Sequence, residues 1–160
     1  MTAQHRPSVD GHEDEPERSS RFRVYGAPVP QSGTRIVPTP GGPRGISTGG
    51  TGLQAWRQAV ANEASVQWVD GRRHLGPVAL EVEYRFPMPS SRLVRQKNAG
   101  CIPKTTQPDL DKLLRAVFDS LRQGGLLLDD AQITEVHASK MEHHDSWYGA
   151  DIAVRDLWTP

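Results

Sequence analysis

Four aspartates between Pro108 and Gln132 are the residues of this chain best spaced to do chemistry together: Asp109 and Asp111 at the mouth of an amphipathic helix, and Asp129 and Asp130 just beyond its end. Carboxylates set this way can converge on a hard divalent cation, which takes oxygen ligands, keeps several waters and shares its coordination sphere with substrate phosphates. Such an ion lowers the pKa of a bound water and polarises a scissile phosphate. Asp109 and Asp111 are two apart, so both can reach one ion from the first turn of a helix or from the extended segment ahead of it. Capping is the competing account. An acid is favoured at a helix N-terminus, and an Asp-Asp pair is ordinary in a turn. That explains one aspartate readily, but less readily a second one two residues later with another pair at the next chain reversal.

These acids are positioned by a helix whose buried stripe is Leu110, Leu113, Leu114, Val117, Phe118 and Leu121, with Pro108 ahead and Gly124-Gly125 behind. Residues 126 to 128 are all Leu, and the expectation is a short buried crossing that brings Asp129 and Asp130 back to share one edge with Asp109 and Asp111. On the exposed face, Asp111, Arg115, Asp119 and Arg122 recur at helical spacing, which predicts ion pairs along the helix for Arg115 and Asp119. Elsewhere, Phe22 to Tyr25 reads as a short strand and residues 26 to about 52 as a long Gly/Pro/Thr-rich loop. Leu53 to Val69 reads as a helix with Trp56 and Trp68 in the core. Val78 to Phe86 alternates as a half-buried strand, and further strands are expected at Ile133 to Lys140 and Ala150 to Arg155. The order β, α, β, α, β, β describes an α/β (α+β) domain, a small mixed sheet with two main helices packed on it.

The 160 residues suit one domain, with residues 1–20 as a disordered acidic tail and 21–160 as the folded unit. Formal net charge is zero, yet the first 20 residues hold five acids and two arginines, leaving 17 basic and 14 acidic side chains in the body. Ser90 to Pro108 carries Arg92, Arg95, Lys97 and Lys104 without one acid, a segment suited to phosphates or, more plainly, a solvated loop. Arg35 and Arg44 in the long loop are further phosphate candidates. Cys101 is alone, which excludes an internal disulfide and a cysteine metal cluster and fits a reducing compartment. No apolar run approaches a membrane span, the start lacks a signal-peptide core, and the expectation is a soluble cytoplasmic protein. His143-His144-Asp145 reads as a turn rather than a metal site. The glycine-rich stretch from Gly41 lacks the pattern of a P-loop or a dinucleotide fold, so no nucleotide cofactor is expected.

The run Pro108-Asp109-Leu110-Asp111-Lys112-Leu113-Leu114-Arg115, continuing to Phe118-Asp119-Ser120-Leu121, then Leu128-Asp129-Asp130-Ala131-Gln132-Ile133 and finally Lys140, resembles the RusA family of Holliday junction resolvases. That family's pattern is a D-L-D-N-L-x-K helix ending in F-D-A-L, followed by W/L-x-D-D-A-Q at a strand entry. The resemblance implies a homodimeric, Mg²⁺-dependent endodeoxyribonuclease, with Mn²⁺ able to substitute, that introduces paired nicks in four-way DNA junctions during recombination and repair. A virus-encoded origin is compatible with so compact a resolvase. Carried over by position, the metal ligands fall on Asp109, Asp111 and Asp130, with Asp129 and Asp119 in support. Lys140 joins Arg35, Arg92, Arg95, Lys97 and Lys104 as a DNA-binding cation. The family lysine falls on Arg115 and its Asn on Lys112, so the catalytic cation is Arg115 or Lys112. Arg keeps the charge but does not replace Lys conservatively. Two rival readings follow: a junction-binding protein that has lost catalysis, and a nuclease acting on other branched DNA.

Overall fold

The computed structural model describes residues 18–31, 34–47, 50–68, 73–145 and 147–158, with backbone alone at 34–37 and 44–47. The elements in chain order are β1 (Ser19–Tyr25), β2 (Thr34–Thr39), β3 (Gly42–Ser47), α1 (Gly50–Trp68) and β4 (Val78–Pro87). They continue with α2 (Val94–Asn98), β5 (Cys101–Pro103), α3 (Leu110–Gln123), a 3-10 turn (Asp130–Gln132), β6 (Ile133–His143) and β7 (Gly149–Asp156). Five strands form one mixed sheet in the order β1-β7-β4-β6-β5, and β2 and β3 form a separate hairpin. The α+β class with a mixed sheet is as expected.

The parallel strands β4 and β6 are joined through α3, a crossover that reverses direction over the sheet and returns. β7 lies antiparallel between β1 and β4. Strand alternation sends Val78, Leu80, Val82 and Tyr84 of β4 and Ala150, Ile152 and Val154 of β7 to the helix side, where all are buried. Both long helices cover that face, α3 through Leu113, Val117 and Leu121 and α1 through Leu53, Trp56 and Val60. The two helices meet closely where α3 ends. A Cβ on Gly124 would stand 2.4 Å from the carbonyl oxygen of Ala61, so only glycine fits there. Gly125 follows with φ +76° and turns the chain back.

Several expectations are corrected. The long loop after β1 contains the β2–β3 hairpin, closed across Thr39 and Gly42. The basic segment holds the short α2 and β5 rather than loop alone. Ser19 and Ser20, assigned to the tail, are the first residues of β1, and residues 1–17 lie outside the described residues. Leu126 and Leu127 are buried, but Leu128 is 52% exposed and the run forms no strand of the sheet, only a bridge between Leu127 and His74. Trp56 is core, whereas Trp68 is 38% exposed and donates its indole N–H to the Gly124 carbonyl at 2.6 Å.

Candidate active site at the start of α3

The carboxyl-terminal ends of the parallel strands β1, β4 and β6 point to the amino-terminal end of α3, the end of an α/β sheet where sites are commonly built. Asp109 occupies the N-cap position of α3 in an extended conformation, yet its side chain makes no capping hydrogen bond. Its carboxylate accepts instead from the Lys112 ammonium at 2.7 Å. That hydrogen bond, with the attraction of the same cation, holds the Asp109 carboxyl below the usual carboxylate range and raises Lys112 in return. Asp111 sits in the first turn, exposed. Capping therefore does not account for Asp109, and both carboxylates keep oxygens free for an external partner. Arg115 is exposed one turn further along.

The backbone carrying these acids is fixed from three sides. The Lys140 ammonium on β6 donates to the carbonyls of Thr106 and Pro108 at 2.8 and 2.7 Å, just ahead of Asp109. The N–H of Gln31, after β1, donates to the Lys112 carbonyl at 2.9 Å. Leu113 and the rest of the stripe anchor the helix to the core. Lys140 is thus a positioning group for the acid-bearing turn.

The second acid pair stands elsewhere. Asp129 caps the 3-10 turn, accepting from the Ala131 N–H at 2.8 Å, and this bond depresses its carboxyl. The Gln132 side chain locks the same turn: its oxygen accepts from the N–H groups of Leu128 (2.7 Å) and Asp129 (3.1 Å). Its amide donates to the carbonyls of His74 (3.1 Å) and Gly76 (2.9 Å). Asp130, beside it, is exposed. The turn precedes β6, while Lys140 marks the acid-bearing end of α3, and the span from Ile133 to Lys140 is about 23 Å at ~3.3 Å per residue. The 14 residues of α3 cover a similar length in the opposite direction, about 21 Å. Asp130 is therefore on the order of 20 Å from Asp109 within one chain. Among the described residues no three His, Cys, Asp or Glu side chains come together as a metal site. The expectation that all four acids share one edge of a single chain is overturned, because the crossover places the two pairs at opposite ends of α3.

The basic segment is divided in its duties. Arg92 grips the fully buried Glu142 of β6 through two hydrogen bonds, Nε to Oε2 at 2.7 Å and Nη2 to Oε1 at 2.8 Å, and Lys104 lies 3.7 Å from the same carboxylate. These contacts hold the Glu142 carboxyl below its ordinary value in spite of burial. Lys97 donates to the Ser90 carbonyl at 2.8 Å, and Arg95 is exposed. The side chains of Arg35 and Arg44 lie outside the described residues. Asp119 pairs with Arg57 of α1 at 3.7 Å rather than with Arg115, so it ties the two helices together.

One network escaped sequence reasoning. The Asp156 carboxylate accepts from His74 Nδ1 at 2.6 Å, and Ser20 Oγ lies 3.1 Å from Nε2. The three residue types in this order form a nucleophilic relay in hydrolases, but Ser20 is 5% and His74 1% exposed, so no substrate reaches the hydroxyl. The trio is a buried pin that fastens the segment on which Gln132 rests.

The match of the chain to known families is consistent with this geometry: residues 26–155 fit the model of the endodeoxyribonuclease RusA. The chain belongs to the RusA family. The chain is also 30% identical to the uncharacterized protein YqaN of Bacillus subtilis (strain 168) over 149 residues, covering 86% of this chain and 96% of that protein. No helix among the described residues is long and apolar enough to cross a membrane.

Proposed function

We propose that this RusA-family chain is a divalent-metal-dependent endonuclease that resolves four-way DNA junctions by paired nicks, acting as a homodimer. The observation that carries the reading is the pair Asp109 and Asp111, held at a helix start with carboxylate oxygens unspent on capping. Two hard carboxylates fit Mg²⁺ or Mn²⁺, which bind through one or two carboxylates, waters and substrate phosphates. When bound there, the ion supplies an acidified water and charge stabilisation at the phosphate. The chain's own part is to fix the acids through Lys140 and Gln31, and to set cations beside the developing charge. Lys112 and Arg115 fill that role, Lys112 already within 2.7 Å of Asp109. Arg95 and its neighbours supply the backbone contacts with DNA.

Asp130 enters as a ligand from a second copy. Since one chain holds it far from Asp109, a two-fold pair supplies each site with Asp109 and Asp111 from one copy and Asp130 from the other. A synthetic four-way junction with Mg²⁺ tests the activity, and symmetric nicks are expected. Well-folded protein that binds the junction and never nicks it favours a structural binder instead. Preference for flaps or forks favours the other branched substrates. Mixing Asp109→Asn with Asp130→Asn copies tests the shared site. Each alone is inactive, and the mixture regains cleavage because one of its two sites keeps all its acids.

A further inference from the structure

The short helix α2 adds nothing to the core, since none of its residues is buried, yet it is braced along its whole length. The segment that carries it leaves β4 where the Met88 N–H donates to the His143 carbonyl at 2.9 Å, and it returns where the Gly100 carbonyl accepts from the His144 N–H at 2.8 Å. Arg92 ties it to the buried Glu142, and the Lys97 ammonium reaches back to the Ser90 carbonyl at 2.8 Å. At the tip the Leu93 N–H donates to the Gln96 side chain at 3.0 Å, while the Leu93 carbonyl accepts from the N–H groups of Gln96 and Lys97 at 2.9 and 3.1 Å. This frame holds two apolar side chains out into solvent. Leu93 is 56% and Val94 72% exposed, and no other large hydrophobic among the described residues is as exposed as Val94.

Ordering an apolar tip in water costs entropy and gains no burial, so such a tip is matched to a surface that covers it. The charge around it selects a polyanion: Ser90 to Pro108 holds no acid, and Arg95, next to Val94, is exposed. Where proteins pry base steps apart, cations hold the phosphates and a fixed aliphatic side chain enters between the bases. We propose that Leu93 and Val94 form a wedge that enters the base stack at the branch point of the DNA and holds it open for cutting. The choice of ligand rests on the branched-DNA reading above. Lys140 holds the turn before Asp109, and His144 holds the return of the α2 segment. They are four residues apart, about 13 Å at ~3.3 Å per residue. Base pairs rise about 3.4 Å each, so the stack is opened within roughly four pairs of a phosphate at Asp109 and Asp111. Stacking is already interrupted at a branch, and entry there costs less than in continuous duplex. The wedge thereby favours a junction over a plain duplex.

Unstacking is read without cleavage by setting the fluorescent base 2-aminopurine at the positions flanking the branch of a synthetic four-way junction, with EDTA in place of metal. The full-length wild type is expected to raise the emission about threefold or more, as the base leaves the stack. The double variant Leu93→Ser/Val94→Ser changes no charge and puts a favoured residue at the N-cap of α2. It is expected to keep the circular dichroism spectrum and the salt slope of binding, to hold the junction within about fivefold of wild-type affinity, and to leave the emission unraised. In Mg²⁺ its cleavage is expected to fall about tenfold or more on a fully paired junction and to recover on one with mismatched pairs at the branch, which is open beforehand. A double variant that raises the emission as the wild type does overturns the proposal, as does a loss of cleavage that mismatches fail to restore. A change in its sedimenting mass also overturns it, because the tip then belongs to a contact between protein chains. If the wild type raises the emission and never cuts, the wedge stands and the nuclease reading falls.

Discussion

Glu142 offers the most direct measure of what the basic segment is for. It is fully buried and receives two hydrogen bonds from Arg92 and the nearby charge of Lys104. Glu142→Gln keeps the shape but removes the charge and turns one acceptor into a donor facing the guanidinium. At least one charge-assisted bond is lost, and such bonds contribute about 1.5–3 kcal/mol each, so a loss of about 2 kcal/mol is expected. With a urea slope of about 2 kcal/mol/M, the unfolding midpoint falls by roughly 1 M. The companion measurement is the salt dependence of DNA binding. Arg92 is spent on Glu142, so Arg92→Ala leaves the slope of log K against log salt unchanged, whereas Arg95→Ala lowers its magnitude by about one. If Glu142→Gln is as stable as the wild type and Arg92→Ala removes one unit of slope, Arg92 is a phosphate contact and the reasoning fails.

Asp109→Asn and Asp111→Asn are expected to lower metal-dependent cleavage by about a hundredfold or more while leaving the urea midpoint in place, because neither caps the helix. Asp129→Ala does the reverse, lowering the midpoint through loss of its cap on the 3-10 turn. Gln132→Ala removes four hydrogen bonds and is expected to cost about 2–3 kcal/mol, with weaker Mg²⁺ titration of cleavage as the turn beside Asp130 loosens. Lys112→Met takes away the cation that depresses Asp109. The carboxyl then titrates at higher pH, and the acid limb of the cleavage profile moves upward. For Glu142 the sign concerns stability. Its folded value is lowered, so its contribution is present above the unfolded value of about 4.3 and is lost as pH falls through the folded one. Acid unfolding of Glu142→Gln lacks that step.

What was legible in the sequence depended on how local the cause was. The 3.6-residue stripe from Leu110 to Leu121 and the alternation from Val78 to Phe86 placed α3 and β4 almost to the residue, and with them Asp109 and Asp111. The β2–β3 hairpin was hidden because Pro38, Pro43 and Gly45 interrupt any period of two, although Thr39-Pro40-Gly41-Gly42 is a turn signal. α2 and β5 are too short to show a period. Contacts between residues far apart in the chain left no local trace: Arg92 with Glu142, Arg57 with Asp119, and His74 with Ser20 and Asp156. The placing of Asp130 failed for a topological reason. Spacing brings it near α3, but only the direction of the crossover decides which end of α3 it reaches.

The separation of Asp109 from Asp130 along α3 has a bearing on how such a protein can be tolerated by the cell that makes it. On the proposed shared-site arrangement, a solitary subunit carries an unfinished cutting centre. Where subunits are dilute, paired molecules scale with the square of their abundance, so halving synthesis leaves about a quarter of the competent nuclease by mass action. On that arrangement trace expression leaves few complete centres, and two incisions arise together because each centre is completed by its twin.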